Sequence, residues 1–394
     1  MFINRKIIDK LQDGIRYFPA IVITGARQVG KTTLIKKLLP DYSYVTLDRP
    51  LAAEQAEVDP EAFLKAHPAP VIIDEIQYAP SLFRYLKIKI DEKRDLKGQY
   101  VLTGSQRFTL MKGVSESLAG RAAIIEMEGL SCLELFDAGI IADSLGEYEN
   151  LILRGGFPEL WTDLERPTNL FFDSYIATYL QRDVRQIQAV ANLRDFERFL
   201  RAASLKTGQQ LNKSILAREV GVSVTTIGEW ISILEALGHV VLLEPWFANL
   251  KKRLVKSPKI YFSDTSLVCA LAGIDRSNLS NSPMIGPLWE TFVFAELRKQ
   301  LAFKGEKPNL WYYRDQSQNE LDFIWEKGSD LYLYECKWTN SPRFNMANNL
   351  SKIEKIFSES SDSIYKIKEK ALISRAKESF DSDGLTYRSP LSLF

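Results

Sequence analysis

Residues 25–32 read Gly-Ala-Arg-Gln-Val-Gly-Lys-Thr, set between the apolar run Ala20–Thr24 and an amphipathic stretch, Lys31–Leu39, that stops at Pro40. No other segment limits the fold so tightly. The apolar run reads as a buried strand and the stretch after it as a helix. Glycine at the first and sixth positions lets the backbone curl so that successive N–H groups face one point. The helix N-terminus aims its positive dipole end at the same point. Lys31 adds a point charge, and the Thr32 hydroxyl suits a hard cation such as Mg2+. The eight residues fit G-x-x-x-x-G-K-[ST] without a mismatch, in the strand–turn–helix setting that this pattern requires. Gly25, Ala26, Arg27, Gln28, Val29, Gly30, Lys31, Thr32 and Thr33 are therefore expected to cradle the phosphates of ATP.

The complement of that loop is Val71-Ile-Ile-Asp74-Glu75, an apolar strand that delivers two carboxylates at its carboxyl end, where ligands bind in open α/β sheets. Asp74 is expected to hold the Mg2+ shell and Glu75 to orient and deprotonate an attacking water. The plainer alternative is a helix cap. A further strand ends in Thr103-Gly104-Ser105-Gln106. Ser105 is the first choice for a γ-phosphate contact there, with Gln106 and Thr103 as rivals. Arg121 precedes the strand Ala122–Met127. It is expected either to stabilise phosphoryl charge in a neighbouring subunit or to form an intrachain salt bridge or a phosphate contact in cis.

Strands at Tyr44–Leu47, Val71–Ile73, Tyr100–Leu102 and Ala122–Met127, with a helix over Ser81–Lys93, alternate as in a parallel sheet with helices on both faces. Phe136–Tyr148 and Phe171–Leu205 read as mostly helical. Helices over Ile215–Val220 and Thr225–Leu237, then a strand over Val240–Leu243, follow the order of a winged helix-turn-helix. A helix over Pro287–Leu301 and strands over Leu310–Tyr313, Leu321–Trp325, Leu331–Cys336 and Ala371–Ile373 return to α/β, with a helical stretch near Leu350–Phe357. The expected division is 1–135, 136–250 and 251–394: a nucleotide-binding unit, a helical and winged-helix middle, and a smaller α/β unit.

The spacing of Gly25–Thr33, Val71–Glu75, Val101–Gln106 and Gly120-Arg121 resembles the AAA-plus superfamily. It is similar, more closely, to a group of prokaryotic AAA-plus-like ATPases with a C-terminal domain of unknown function. Tyr175-Ile-x-x-Tyr-Leu-x-Arg182-Asp183, Pro258-Lys-Ile-Tyr-Phe-x-Asp264, and Glu320-Leu-Asp322 through Glu335-Cys-Lys337 extend the likeness over nearly the whole chain. It implies an additional strand between the P-loop strand and the Asp74 strand. Arg154 and Arg182 are alternatives for a lid arginine.

Asp322, Glu335 and Lys337 resemble the PD-(D/E)xK nuclease pattern. Period-two alternation puts Glu335 and Lys337 on one face of a strand. Two carboxylates can bind Mg2+ while a lysine orients water, and Glu290 or Glu296 could complete the site. A solvated ion pair is the alternative for Glu335 and Lys337. The second helix of the helix-turn-helix offers Thr225, Thr226, Glu229 and Trp230 but no basic residue. Lys251, Lys252, Arg253, Lys256 and Lys259 would have to neutralise DNA phosphates, and a lid or interdomain role competes.

Composition adds limits. With 51 Lys+Arg against 50 Asp+Glu, the net charge of +1 demands neither nucleic acid nor an acidic membrane. Cys132, Cys269 and Cys336 lack metal-ligand spacing and read as reduced, buried thiols. His67 and His239 read as structural, and Trp161, Phe171, Phe172, Tyr175 and Tyr179 as core. With no apolar leader or membrane-spanning run, a cytoplasmic protein is expected. Three functions remain open: an ATPase that moves its C-terminal parts, an ATP-gated DNA-binding protein or metal-dependent nuclease, and a nucleotide-sensing module for a protein partner. Arg121 adds a homo-oligomer as a further partner.

Overall fold

The computed structural model describes all residues except 106, 143–146, 181–192, 248–256, 359–364 and 383. Strands β1 (Ala20–Thr24), β2 (Ser43–Thr46), β3 (Val71–Asp74), β4 (Tyr100–Gly104) and β5 (Ala122–Glu126) form a parallel sheet in the order β2-β3-β4-β1-β5. The inserted strand is β4. Alternation sorts the apolar side chains to two faces. Val22, Val71, Ile73 and Leu102 pack against the helices Pro60–Ala66 and Leu82–Glu92. Ile21, Ile23, Ile72 and Val101 pack against Ile8–Tyr17 and Lys31–Leu38. Strands buried on both sides must be apolar along their whole length, which is why they read as short continuous runs.

The middle of the chain is mainly helical. The stretch expected as helix over Phe136–Tyr148 instead contains the end of one helix, Cys132–Asp137, and the start of another, Glu147–Arg154. Just past the first stands Gly139, whose φ of 67° is left-handed and whose N–H donates to the Phe136 carbonyl. Phe157, Phe171, Phe172 and Tyr175 form one aromatic core cluster. The helices Lys213–Val220 and Val224–Ala236 are joined at Gly221, and each starts on a side-chain cap, Asn212 and Ser223. Beside them β6 (Gln209–Gln210), β7 (Val240–Leu243) and β8 (Lys259–Phe262) pair antiparallel in the order β6-β8-β7. Strand β8 lies past residue 250, where the next unit was expected to begin, yet its ladder joins it to this sheet. Trp230, expected on a DNA-reading face, is buried against Phe196 and Phe199.

The last third carries a mixed sheet in the order β13-β14-β12-β11-β10-β9, built from β9 (Leu310–Arg314), β10 (Glu320–Lys327), β11 (Asp330–Cys336), β12 (Lys366–Ile373), β13 (Phe380–Ser382) and β14 (Leu385–Arg388). The helix Asn348–Ser358 covers the face formed by Leu321, Ile324, Leu331, Leu333 and Leu372. The helix Ile285–Phe303 covers the face carrying Phe323, Tyr334 and Ile373. The register of β10 against β9 shifts between Leu321 and Ile324, a bulge of the kind that re-aims side chains, and Asp322 lies within it. No helix among the described residues is long and apolar enough to cross a membrane.

Candidate active site

The loop after β1 is held in a shape that only its sequence permits. A Cβ on Gly25 would lie 2.0 Å from the Met127 carbonyl oxygen. Gly30 caps the helix Lys31–Leu38 from the left-handed region, at φ 92°. Gln28 is also left-handed, at φ 60°, an uncommon choice for a side chain with a Cβ. Buried Lys31 closes the loop, with Nζ donating to the Gly25 and Ala26 carbonyls at 2.8 Å each. Arg27 is partly buried and Thr33 exposed.

The carboxylates of β3 meet this loop. Thr32 Oγ1 lies 3.2 and 3.1 Å from the two Asp74 oxygens. A hydroxyl beside a carboxylate fits the hard-oxygen donor set of Mg2+. Asp74 also accepts from the Tyr44 hydroxyl at 2.7 Å and from Thr103. Burial, together with this bond, pushes the Tyr44 hydroxyl up. Glu75 is left-handed, at φ 56°, a costly geometry for a residue with a Cβ. Its carboxylate accepts from Ser105 Oγ at 3.1 Å and from Gln77, and its N–H donates to Thr103 Oγ1 at 3.3 Å. Ser105 and Thr103 thus both touch the carboxylate pair, and Gln106 lies outside the described residues. Tyr44 and Gln77 were not anticipated. Gln77, two residues past Glu75, carried a local signal; Tyr44, thirty residues before Asp74, carried none.

A second carboxylate cluster lies in the C-terminal unit. Asp322 accepts the Cys336 N–H at 2.7 Å, which brings it beside Glu335. Lys337 Nζ is 2.7 Å from Glu335 Oε1, and Glu335 Oε2 is buried without a hydrogen-bond partner. Glu290 accepts from Tyr261 and, at 2.9 Å, from Lys259, which also reaches Glu320 at 2.7 Å. Burial, with Asp322 nearby, lifts Glu290 to about 7 and Glu335 to about 8. Asp322 is raised by burial against the pull of Lys259 and Lys337. Carboxylates this close in low dielectric cannot all ionise together. Lys259 is buried, yet Glu290, Asp322 and Glu320 outweigh the burial and hold its ammonium charged. Glu290, Asp322, Glu335 and Lys337 therefore converge, but Lys259 from β8 already lies among them as a cation. Among the described residues, no three His, Cys, Asp or Glu side chains are spaced to hold a metal ion. Glu296, the rival to Glu290, points elsewhere: it accepts the Cys132 N–H and pairs with Lys299.

Residues 17–136 match the family described as AAA domain, residues 145–278 a domain of unknown function (DUF8612), and residues 285–394 another (DUF4143). Uncharacterized protein Rv2008c of Mycobacterium tuberculosis and Uncharacterized protein Mb2031c of Mycobacterium bovis are each 34% identical to the chain over 345 residues, 86% of this chain and 75% of theirs. The chain belongs to their family. Among solved structures, the Walker-type ATPase PABY2304 of Pyrococcus abyssi is similar at 15% identity over 68% of this chain and 96% of its own, with a TM-score of 0.46. A RuvB variant of Thermotoga maritima is similar at 17% identity over 61% and 90%, with a TM-score of 0.32.

Within the AAA domain, Arg121 is not at the phosphate loop of its own chain. It precedes β5, which runs parallel to β1 from Ala122 beside Ala20, so it lies at the sheet edge opposite Thr24, roughly 15 Å away along the strands. There it grips Asp91 with Nε and Nη2 at 2.7 and 2.9 Å. In this chain the intrachain salt bridge is formed, away from the phosphate loop. Arg154 donates to the Leu160 and Leu164 carbonyls, and Arg182 lies outside the described residues. Lys251, Lys252, Arg253 and Lys256 lie outside them too, while Lys259 is withdrawn from solvent by its ion pairs.

A cleft beside the loop is lined by Phe2, Ile3, Gly30, Thr33, Pro158 and Glu159. The chain leaving β5 is held by the helix Ile285–Phe303. Arg298 pairs with Glu128 at 2.9 Å, Lys299 donates to the Leu130 carbonyl at 2.9 Å, and Glu296 accepts the Cys132 N–H at 3.1 Å.

Proposed function

We propose that the chain binds Mg-ATP at residues 25–33 and hydrolyses it. The reading is carried by one observation: the Thr32 hydroxyl and the Asp74 carboxylate already face each other across the loop and β3, with Glu75 beside them. In this reading Lys31 leaves the Gly25 and Ala26 carbonyls and meets the β- and γ-phosphates. Thr32 and Asp74 hold Mg2+, which would neutralise phosphate charge. Glu75, oriented by Ser105 and Gln77, takes the proton of a water attacking the γ-phosphorus. The bond to the bridging oxygen breaks, its electron pair leaves with ADP, and inorganic phosphate is released. The nucleoside sits in the cleft at Phe2, Thr33 and Glu159. The contacts of Arg298, Lys299 and Glu296 with residues 128–132 support coupling of nucleotide state to the C-terminal unit. Replacement of Glu75 by Gln tests the assignment: nucleotide binding is retained while turnover falls by about 100-fold or more. Unchanged turnover removes Glu75 from this role.

A second reading, a metal-dependent nuclease, is favoured by the convergence of Glu290, Asp322, Glu335 and Lys337. It requires Lys259 to withdraw first. Cutting of duplex, branched or single-stranded DNA with Mg2+ or Mn2+ that disappears in Asp322→Ala would establish it. No cutting by wild-type protein or by Lys259→Met leaves a charge-balanced junction between β8 and the C-terminal sheet. Action of Arg121 on a second copy of the chain, and a role as a nucleotide sensor for a protein partner, rest on the same phosphate site. Turnover per molecule that rises with protein concentration supports the former; slow turnover with retained ADP supports the latter.

A further inference from the structure

Arg5 precedes the first helix and is buried, with a relative exposure of 5%. Its guanidinium donates four hydrogen bonds to three separated segments. Nη1 reaches the Val29 carbonyl at 3.0 Å, Nη2 the Glu128 and Gly129 carbonyls at 2.7 and 3.1 Å, and Nε the Glu134 carboxylate at 3.0 Å. Glu134 is itself held by the N–H groups of Lys6 and Ser131. The Val29 carbonyl belongs to the peptide that carries the Gly30 N–H. A planar trans peptide points its C=O and N–H in opposite directions. Fixing one therefore aims the other.

That peptide lies between two left-handed residues, Gln28 and Gly30. A short segment of this kind has other turns open to it unless something outside holds it. We propose that Arg5 is a positioning residue of the phosphate loop: by holding the Val29 carbonyl outward, it keeps the Gly30 N–H turned toward the β-phosphate. The inference rests on the nucleotide reading above. The same side chain grips residues 128 and 129, so the loop and the exit from β5 share one anchor. Lysine cannot replace it, because one ammonium lacks the planar fork that serves three segments at once.

Calorimetric titration of the full chain with Mg-ADP and with AMP tests the inference, because the loop acts on the β-phosphate that AMP lacks. Wild-type protein that shows no preference for ADP removes the nucleotide reading itself, whatever Arg5 does. With that preference in place, Arg5→Ala is expected to reduce it by about 10- to 100-fold, the loss of a charged hydrogen bond. AMP affinity falls by less than ADP affinity, Arg5 also lining the cleft assigned to the nucleoside. Arg5→Lys shows a similar loss, and added guanidinium ion restores part of the preference in Arg5→Ala. Should Arg5→Ala fail to fold, Glu134→Gln, which weakens one anchor of the guanidinium, is expected to lower the preference a few-fold. A folded Arg5→Ala with full preference, an equal loss for ADP and AMP, or an unchanged Glu134→Gln would overturn the proposal.

Discussion

The chain carries two carboxylate centres, and they are finished differently. At the end of β3, Asp74 and Glu75 are met by hydroxyls and an amide: Thr32, Tyr44, Thr103, Ser105 and Gln77. None of these groups carries a charge. In the C-terminal unit, Glu290, Asp322 and Glu335 are met by Lys259 and Lys337. There the protein supplies the positive charge itself. Acidic residues at a strand end thus do not define one chemistry. What faces them differs: neutral donors at one centre, ammonium groups at the other.

The largest effect expected from this contrast is on stability. Lys259→Met leaves buried carboxylates without their cation and is expected to destabilise the fold by about 3–5 kcal/mol, read by urea unfolding. Adding Glu290→Gln to that variant is expected to restore part of the loss. Glu75→Gln, at the other centre, costs turnover and little stability. A Lys259→Met protein as stable as wild type would mean that the lysine does not balance the cluster.

A smaller effect is expected with pH. Glu290 and Glu335 are raised in the folded chain, to about 7 and about 8, above the ordinary carboxylate value of 4.5. Between those limits the folded state binds more protons than the unfolded state, so stability falls as pH rises. Lys259 and Lys337 are raised as well, but their contribution is lost only above their ordinary value of 10.5, outside this window. Melting is therefore expected at a lower temperature at about pH 8 than at about pH 5.5. Glu335→Gln is expected to flatten that slope; an unchanged slope in the variant would separate Glu335 from it.

Smaller again is Tyr44→Phe. It removes one bond to Asp74 and is expected to weaken Mg2+-dependent nucleotide binding by about 1 kcal/mol, several-fold, with binding measured in EDTA unaffected. Smallest is Arg121→Ala, which is expected to leave Mg-ADP affinity and melting temperature unchanged, because the residue pairs with Asp91 at the opposite end of the strands from the phosphate loop. A loss of ADP affinity in this variant would contradict that placement.

What the sequence made legible was local. Ala20–Thr24 and Val71–Asp74 are buried on both faces, so their burial is written as unbroken apolar runs, and the phosphate loop lies within eight residues. Pro50–Val58 and Pro60–Ala66 went unread because alanine and glutamate leave little apolar stripe. Thr265–Ala272 is buried almost all round and so shows no amphipathic period. Phe380–Ser382 is three exposed residues long, too short to alternate. Lys259 followed a basic run and read with it as a possible DNA-phosphate contact, while its partners Glu290 and Glu320 lie 31 and 61 positions further on. Arg5 stands among Asn4, Lys6, Asp9 and Lys10, and nothing in that run marks it out. Its acceptors are mostly backbone carbonyls, which no side-chain pattern announces.

The contrast between the two centres is tested most directly by binding of Mn2+, a paramagnetic substitute for Mg2+, followed by electron paramagnetic resonance with and without ADP. Tight Mn2+ binding is expected only when ADP is present, to be lost in Asp74→Ala and unchanged in Asp322→Ala. Tight binding without nucleotide that disappears in Asp322→Ala would contradict the account, because it would show a metal where Lys259 is held to supply the charge.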